Sequence, residues 1–127
     1  MDRHVRLLGV LAALWGALAM LVGVSMLLES VGALAIRASP EREGVRFAAE
    51  VTAAVFAAIG VFALLWGAAH VWAGALLRRR RASGRLLMLA LAAINLLVFP
   101  FGTALGVYAL WMLLPDEGRR LFVSGGP

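Results

Sequence analysis

Long apolar runs separated by short charged clusters dominate this sequence. Residues 51–77 contain no formally charged side chain, and residues 5–28 contain only one, Arg6, at their start. Because an α-helix rises about 1.5 Å per residue, each run is long enough to cross a hydrocarbon core of about 30 Å. The pattern therefore predicts two membrane-spanning helices, of which the second is longer than a bilayer requires and must tilt or protrude.

A third apolar stretch, residues 86–114, is interrupted by Pro100 and Gly102. It would form either one long kinked helix or two short helices, residues 86–99 and 102–114, folded back as a hairpin at Pro100. Proline removes a backbone hydrogen bond and glycine frees the backbone, so their combination favours the hairpin. Each arm would be only about 18 to 21 Å long, so it would cross a bilayer only by extending into flanking residues or where the bilayer thins.

Two polar stretches accompany these runs. Residues 29–50 contain seven charged side chains, and Ser39 followed by Pro40 predicts a loop leading into a new helix, with Pro40 at or near its first turn. The tail, residues 115–127, begins with a proline and two acidic residues, which is typical of a helix start. Two apolar side chains of the tail are expected at the lipid headgroup boundary: Leu121 and Phe122.

Arginines cluster directly after the second run and determine the predicted orientation. Five lie within eight residues: Arg78, Arg79, Arg80, Arg81 and Arg85. Arginines next to a span mark the cytoplasmic side of a membrane. Four spans would place nine arginines inside and three outside, whereas three spans would give seven and five. The sequence therefore favours four spans, with the N- and C-termini in the cytoplasm.

Composition supports a lipid environment and excludes several functions. The chain is 63% hydrophobic and 15% charged, and its mean hydropathy is +0.93, which leaves too little polar surface for a soluble domain. All twelve basic residues are arginines that lie close to apolar runs, so they indicate topology rather than nucleic-acid binding. The chain has no cysteine, which excludes disulfides and thiolate chemistry.

A signal peptide is the alternative interpretation of the first run. Arg3 and Arg6 lie before and at its start, and the small residues Ala33 and Ala35 follow it as in a cleavage site. However, the uncharged segment, residues 7–28, extends over 22 residues, whereas the apolar segment of a signal peptide has about 7 to 15. The length favours a spanning helix.

Small residues recur every seven positions on both long helices. They are Gly9, Gly16 and Gly23 in the first helix, and Ala53, Gly60, Gly67 and Gly74 in the second. This spacing keeps them on one stripe of each helix, where two backbones can approach closely. We expect the stripes to face each other within one subunit, and a dimerisation surface is the alternative. Gly102 and Gly106 give the last helix a similar notch.

Four tryptophans are spread over these helices. Trp72, near the arginine cluster, and Trp111, near Pro115, are expected in an interfacial belt. Trp15 and Trp66 lie deeper, beside the glycines, and are expected to fill the space that those glycines leave.

His70 is the most unusual side chain in a predicted span, because an ionisable group is costly there and is often functional. It flanks the glycine stripe and should face protein. Its imidazole could serve as a proton relay or a haem ligand, but the only other histidine, His4, lies at the membrane edge, so we expect no cofactor. We favour a neutral imidazole bonded to another helix. Asn95 and Thr103 bracket the Pro100 break and can satisfy backbone groups freed there.

No pattern typical of catalysis is present in the sequence. There is no buried carboxylate pair, no serine accompanied by a histidine and a carboxylate, and no metal-ligand spacing. We therefore predict that the protein is not an enzyme and binds no metal.

The segment from Asn95 to Leu114, NLLVFPFGTALGVYALWMLL, resembles a C-terminal signature of small uncharacterised bacterial four-helix integral membrane proteins. In that signature a Pro-x-Gly-Thr turn, here beginning at Pro100, joins two short helices, and Leu-Trp-x-Leu-Leu closes the last one. The resemblance covers 20 of the 127 residues. It implies the hairpin and no particular activity.

Together these patterns predict an all-α, polytopic membrane helix bundle with four transmembrane helices in a single domain, residues 1–127. We expect a structural or interaction component of a bacterial inner membrane. Its partners would be the lipid bilayer and either a second copy of the chain or another membrane protein. A small transporter or channel subunit that uses His70 and Asn95 is the alternative.

Overall fold

The computed structural model describes residues 2–37, 43–98 and 100–123, and these residues form five helices. The helices are α1 (Asp2–Arg37), α2 (Glu43–Arg78), α3 (Ala82–Asn95), α4 (Phe101–Leu113) and α5 (Asp116–Val123). The all-α prediction is confirmed. The number of membrane crossings stays a prediction.

The two long helices extend beyond the apolar runs that predicted them. Each has 36 residues, so α1 and α2 continue well into the polar stretch between the runs. An acidic residue, Glu43, lies in the first turn of α2, and Arg78 lies in the last turn, where each charge interacts favourably with the helix dipole. Pro40, expected near the first turn of this helix, lies outside the described residues.

Among the described helices, α1 and α2 are the two that are long and apolar enough to cross a membrane. In their most apolar segments only 28% of α1 and 22% of α2 is buried inside the protein, whereas the core helix of a soluble protein is mostly buried. Large apolar side chains such as Leu28, Phe62 and Leu65 are exposed, as expected for helices surrounded by lipid.

The chain divides into two compact units. The second unit comprises residues 17–68 and contains antiparallel segments of α1 and α2. A Cβ atom on Gly23 would lie 2.8 Å from the carbonyl oxygen of Gly60, so the two backbones touch. Farther along, the Ser30 hydroxyl donates a 2.8 Å hydrogen bond to the carbonyl of Ala53.

The first unit comprises the described residues up to Gly16 and from Ala69 onward. Here Gly9 lies against Gly74, and α3 and α4 pack side by side as an antiparallel hairpin. The core contains side chains that are completely buried: Leu8, Ala12, Ala73, Leu77, Met88, Ala92, Ala109 and Leu113. The predicted hairpin near Pro100 is therefore present as a fold element.

A three-residue turn joins α2 to α3. Its centre, Arg80, has φ 53°, a left-handed conformation that glycine usually adopts at a helix end. The amides of Arg80 and Arg81 donate to the carbonyls of Leu77 and Leu76, which is the Schellman pattern of helix termination. The arginine cluster thus includes Arg80, the residue whose conformation terminates α2.

The tail forms α5, which begins directly after Pro115 as its sequence indicates. Gly118 lies against the carbonyl of Met112 at the end of α4, and Phe122 is only 6% exposed. The expectation that Phe122 lies at the headgroup boundary is wrong, because α5 folds back onto α3 and α4 and buries this ring. The side chain of Leu121 lies outside the described part of the chain.

Candidate functional site

The structure brings together the two polar side chains that the sequence marked within the apolar helices. Asn95 ends α3, His70 lies on α2, and the Asn95 Nδ2 atom is 2.8 Å from His70 Nε2. Both side chains have no exposed surface. Because a carboxamide nitrogen can only donate, His70 Nε2 accepts, and the imidazole is neutral with its proton on Nδ1.

Asn95 is only partly satisfied by this bond. Its Oδ1 atom is buried and accepts no hydrogen bond, and an unsatisfied buried acceptor costs about 1 to 3 kcal/mol. The sequence predicted that Asn95 would satisfy backbone groups at the Pro100 break. Its side chain turns to His70 instead.

Thr103, by contrast, does satisfy backbone groups at the Pro100 break, as predicted. Its hydroxyl donates a 3.0 Å hydrogen bond to the carbonyl of Leu96, and its backbone amide donates to the carbonyl of Val98. Gly102 allows this return of the chain, because a Cβ atom there would lie 2.9 Å from the Asn95 carbonyl oxygen.

The opposite end of the hairpin is closed by Arg85. Its Nε atom donates a 2.9 Å hydrogen bond to the carbonyl of Leu113, at the C-terminal end of α4, where a cation interacts favourably with the helix dipole. Between the two ends, a Cβ atom on Gly106 would lie 2.7 Å from the Ala92 carbonyl oxygen. Arg85, predicted as a topology signal, also joins the first turn of α3 to the end of α4.

Glycine positions on the long helices lie at close contacts in each unit. Gly9 meets Gly74 in the first unit, and Gly23 meets Gly60 in the second. Two further glycines of the predicted stripes are also buried: Gly16 in α1 and Gly67 in α2.

Sequence reasoning missed Ser30. It lies seven residues after Gly23 and therefore continues the stripe of Gly9, Gly16 and Gly23. Ala53, which was assigned to the other stripe, accepts its hydrogen bond. The seven-residue period was the signal that could have identified it.

The tryptophans occupy two kinds of position. Trp72 and Trp111 are 65% and 67% exposed, as an interfacial belt requires. Trp15 and Trp66 are half-buried, and Trp66 stacks on Phe62 with ring centroids 6.0 Å apart.

The outer face of α4 carries a shallow groove of about 460 Å³. Its lining residues are Pro100, Thr103, Ala104, Val107, Tyr108 and Trp111. The Tyr108 hydroxyl lies 3.2 Å from Nδ1 of His4, at hydrogen-bond distance. This polar contact is distinct from the His70–Asn95 pair.

Within the described ranges, no three His, Asp or Glu side chains lie close enough together to hold a metal ion. Comparison with known proteins adds no assignment: no family model, curated protein or solved structure matches the chain.

Proposed function

We propose that the chain is a small multi-pass protein of a bacterial inner membrane that acts as a structural or interaction component. The observation that carries the proposal is the environment of His70 and Asn95. The two side chains bond to each other and have no exposed surface, whereas a transport site needs polar groups that reach a hydrated path.

The proposed orientation places both termini and the arginine cluster in the cytoplasm. This orientation is the same whether α3 and α4 both cross the membrane or enter and leave it on one side, because either path returns the tail to the side of the arginine cluster. No charged residue occurs between Arg85 and Asp116, so the count of arginines on each side is also the same. The exposed apolar side chains of α1 and α2 would then contact lipid, a second copy of the chain or another membrane protein.

A transporter or channel subunit is the second candidate, and one observation favours it. Asn95 Oδ1 is buried without a hydrogen-bond partner, which is the kind of costly exception that functional sites retain. In that case the His70–Asn95 pair would move protons or bind a polar substrate.

A double-mutant cycle separates the two candidates. For His70→Leu, Asn95→Leu and the double variant, a structural pair predicts a coupling of about 0.5 to 2 kcal/mol in the free energy of unfolding in mixed micelles. The pair His4→Leu and Asn95→Leu, whose wild-type side chains do not bond each other, serves as the additive control.

Proton flux in proteoliposomes completes the experiment. With a pH-sensitive dye inside, we expect the wild-type protein to give the same flux as protein-free liposomes. Flux above that background, lost in a folded His70→Leu/Asn95→Leu variant, would overturn the structural role and establish the transport role.

A further inference from the structure

The surface of the turn between α3 and α4 is apolar, which is unusual for a turn in contact with water. Its exposed side chains are apolar: Leu97 is 85% exposed, Val98 is 41% exposed, and Phe101 is 73% exposed. Turns at a water interface are normally built from Gly, Pro, Asn, Asp and Ser, whose polar groups replace missing backbone bonds. This turn presents hydrocarbon instead.

Among the described residues of the turn, most backbone amides and carbonyls are paired within the hairpin. The amides of Leu96, Leu97 and Val98 donate to the carbonyls of Ala92, Ile94 and Asn95. The carbonyls of Leu96, Val98 and Pro100 accept from the Thr103 hydroxyl, the Thr103 amide and the Ala104 amide. Non-helical backbone can lie at membrane depth only where its polar groups are paired in this way or covered.

The depth of the turn follows from its hydrogen bond to α2. Asn95 bonds to His70, which lies seven residues before Leu77, the last apolar residue ahead of the arginine cluster. Measured along α2 at 1.5 Å per residue, the end of α3 is therefore about 10 Å from the arginines, or about a third of a hydrocarbon core. The apolar run of α2 continues for the 19 residues 51–69 beyond that level.

The two short helices are also shorter than a full crossing of the hydrocarbon core requires. α3 has 14 residues and α4 has 13, which give about 21 and 20 Å, less than the roughly 30 Å of a hydrocarbon core. Their other ends are held together by the Arg85–Leu113 hydrogen bond. Arg85, Asp116 and Glu117 give that end the polar character of a membrane surface.

We propose that α3 and α4 form a re-entrant hairpin, which enters the membrane from the arginine side, places its apolar turn in the lipid hydrocarbon and returns to the same side. The chain then crosses the membrane fully only with α1 and α2. This proposal rests on the proposed membrane location and revises the expected count of four crossings.

Single cysteines test the proposal cleanly, because the natural chain contains none. The test variant is Leu97→Cys at the tip of the turn, with Phe101→Cys as a second exposed position. Three exposed controls mark the environments: Ser83→Cys on the arginine side, Gly44→Cys at the other end of α2, and Leu65→Cys in the lipid-facing apolar run.

Each variant of the full chain, reconstituted in sealed vesicles, is treated with a membrane-impermeant maleimide from either side. We expect Leu97→Cys to react slowly from either side, at a rate about tenfold or more below that of Ser83→Cys treated from the arginine side. Leu65→Cys should react equally slowly. After labelling in detergent with an environment-sensitive nitrobenzoxadiazole dye, its emission should be quenched more by 12-doxyl than by 5-doxyl phosphatidylcholine.

The other outcomes are distinct. Fast labelling of Leu97→Cys from the Gly44 side would show a complete crossing by α3 and overturn the proposal, as would fast labelling from the Ser83 side, which would place the turn at the surface. Fast labelling of every variant, Leu65→Cys included, would instead refute the membrane location on which the proposed function depends.

Discussion

At Gly23 and Gly60 a single methyl group decides whether two helices can pack. A Cβ atom at either position would lie 2.8 to 2.9 Å from the opposite carbonyl oxygen, closer than carbon and oxygen normally approach. Both obstacles are backbone, which cannot rotate away as a side chain can. The small residues are therefore a steric requirement of the second unit.

We predict that Gly23→Ala and Gly60→Ala each lower the free energy of unfolding by about 1 to 3 kcal/mol, because the helices must separate to admit the methyl group. Unfolding in mixed micelles measures this. Gly32→Ala is the matched control, since Gly32 is also in α1 but has no atom within 4 Å of the added group. It should be neutral or stabilising by about 0.5 to 1 kcal/mol, and equal losses at Gly23 and Gly32 would contradict the packing argument.

At the scale of the element, the arginine turn combines a topology signal with a backbone cost. Arg80 adopts a left-handed conformation, which costs a residue with a Cβ atom about 1 to 2 kcal/mol. The Schellman hydrogen bonds around it close α2 and allow α3 to begin at Ala82.

We predict that Arg80→Gly stabilises the protein by about 0.5 to 1 kcal/mol, because glycine adopts this conformation without strain. Arg79→Gly removes the same charge from the neighbouring residue, which does not have a positive φ, and should not stabilise. Thermal unfolding of the two variants in one detergent compares them directly. Greater stability in Arg79→Gly than in Arg80→Gly would be inconsistent with this interpretation.

The elements themselves could be predicted from sequence more fully than their contacts. Hydrophobic run length predicts α1 and α2, and proline with glycine predicts the break between α3 and α4, because these are local properties of the chain. The partner of Asn95 could not be predicted, since 25 residues separate it from His70 and many registers would satisfy an amide. Phe122 was misplaced for a related reason: amphipathic sequence does not distinguish burial against protein from contact with headgroups.

At the scale of the whole molecule, arginine placement should control orientation. The cluster after the second apolar run supplies five of the nine arginines on the proposed cytoplasmic side. Replacing Arg78, Arg79, Arg80 and Arg81 with glutamine should therefore produce molecules of mixed orientation. A C-terminal reporter that is active on only one side of the membrane measures the distribution.

The control for orientation is the replacement of Arg119 and Arg120 with glutamine. It leaves the cluster intact and should leave the C-terminus in the cytoplasm. If the cluster variant keeps a single orientation, the arginines do not determine topology and the cytoplasmic assignment loses its basis.

The hydrogen bonds at both ends of the α3–α4 hairpin also have a mechanical consequence. Thr103 of α4 bonds to Leu96, the residue that follows α3, and Arg85 of α3 bonds to Leu113 of α4. While both bonds hold, α3 and α4 cannot slide along each other. A displacement of either helix must then carry the whole hairpin past α2. Since a hydrogen bond of 2.8 Å between Asn95 and His70 is lost after a shift of about 1 Å, the His70 imidazole is the place where such a displacement would first be detected.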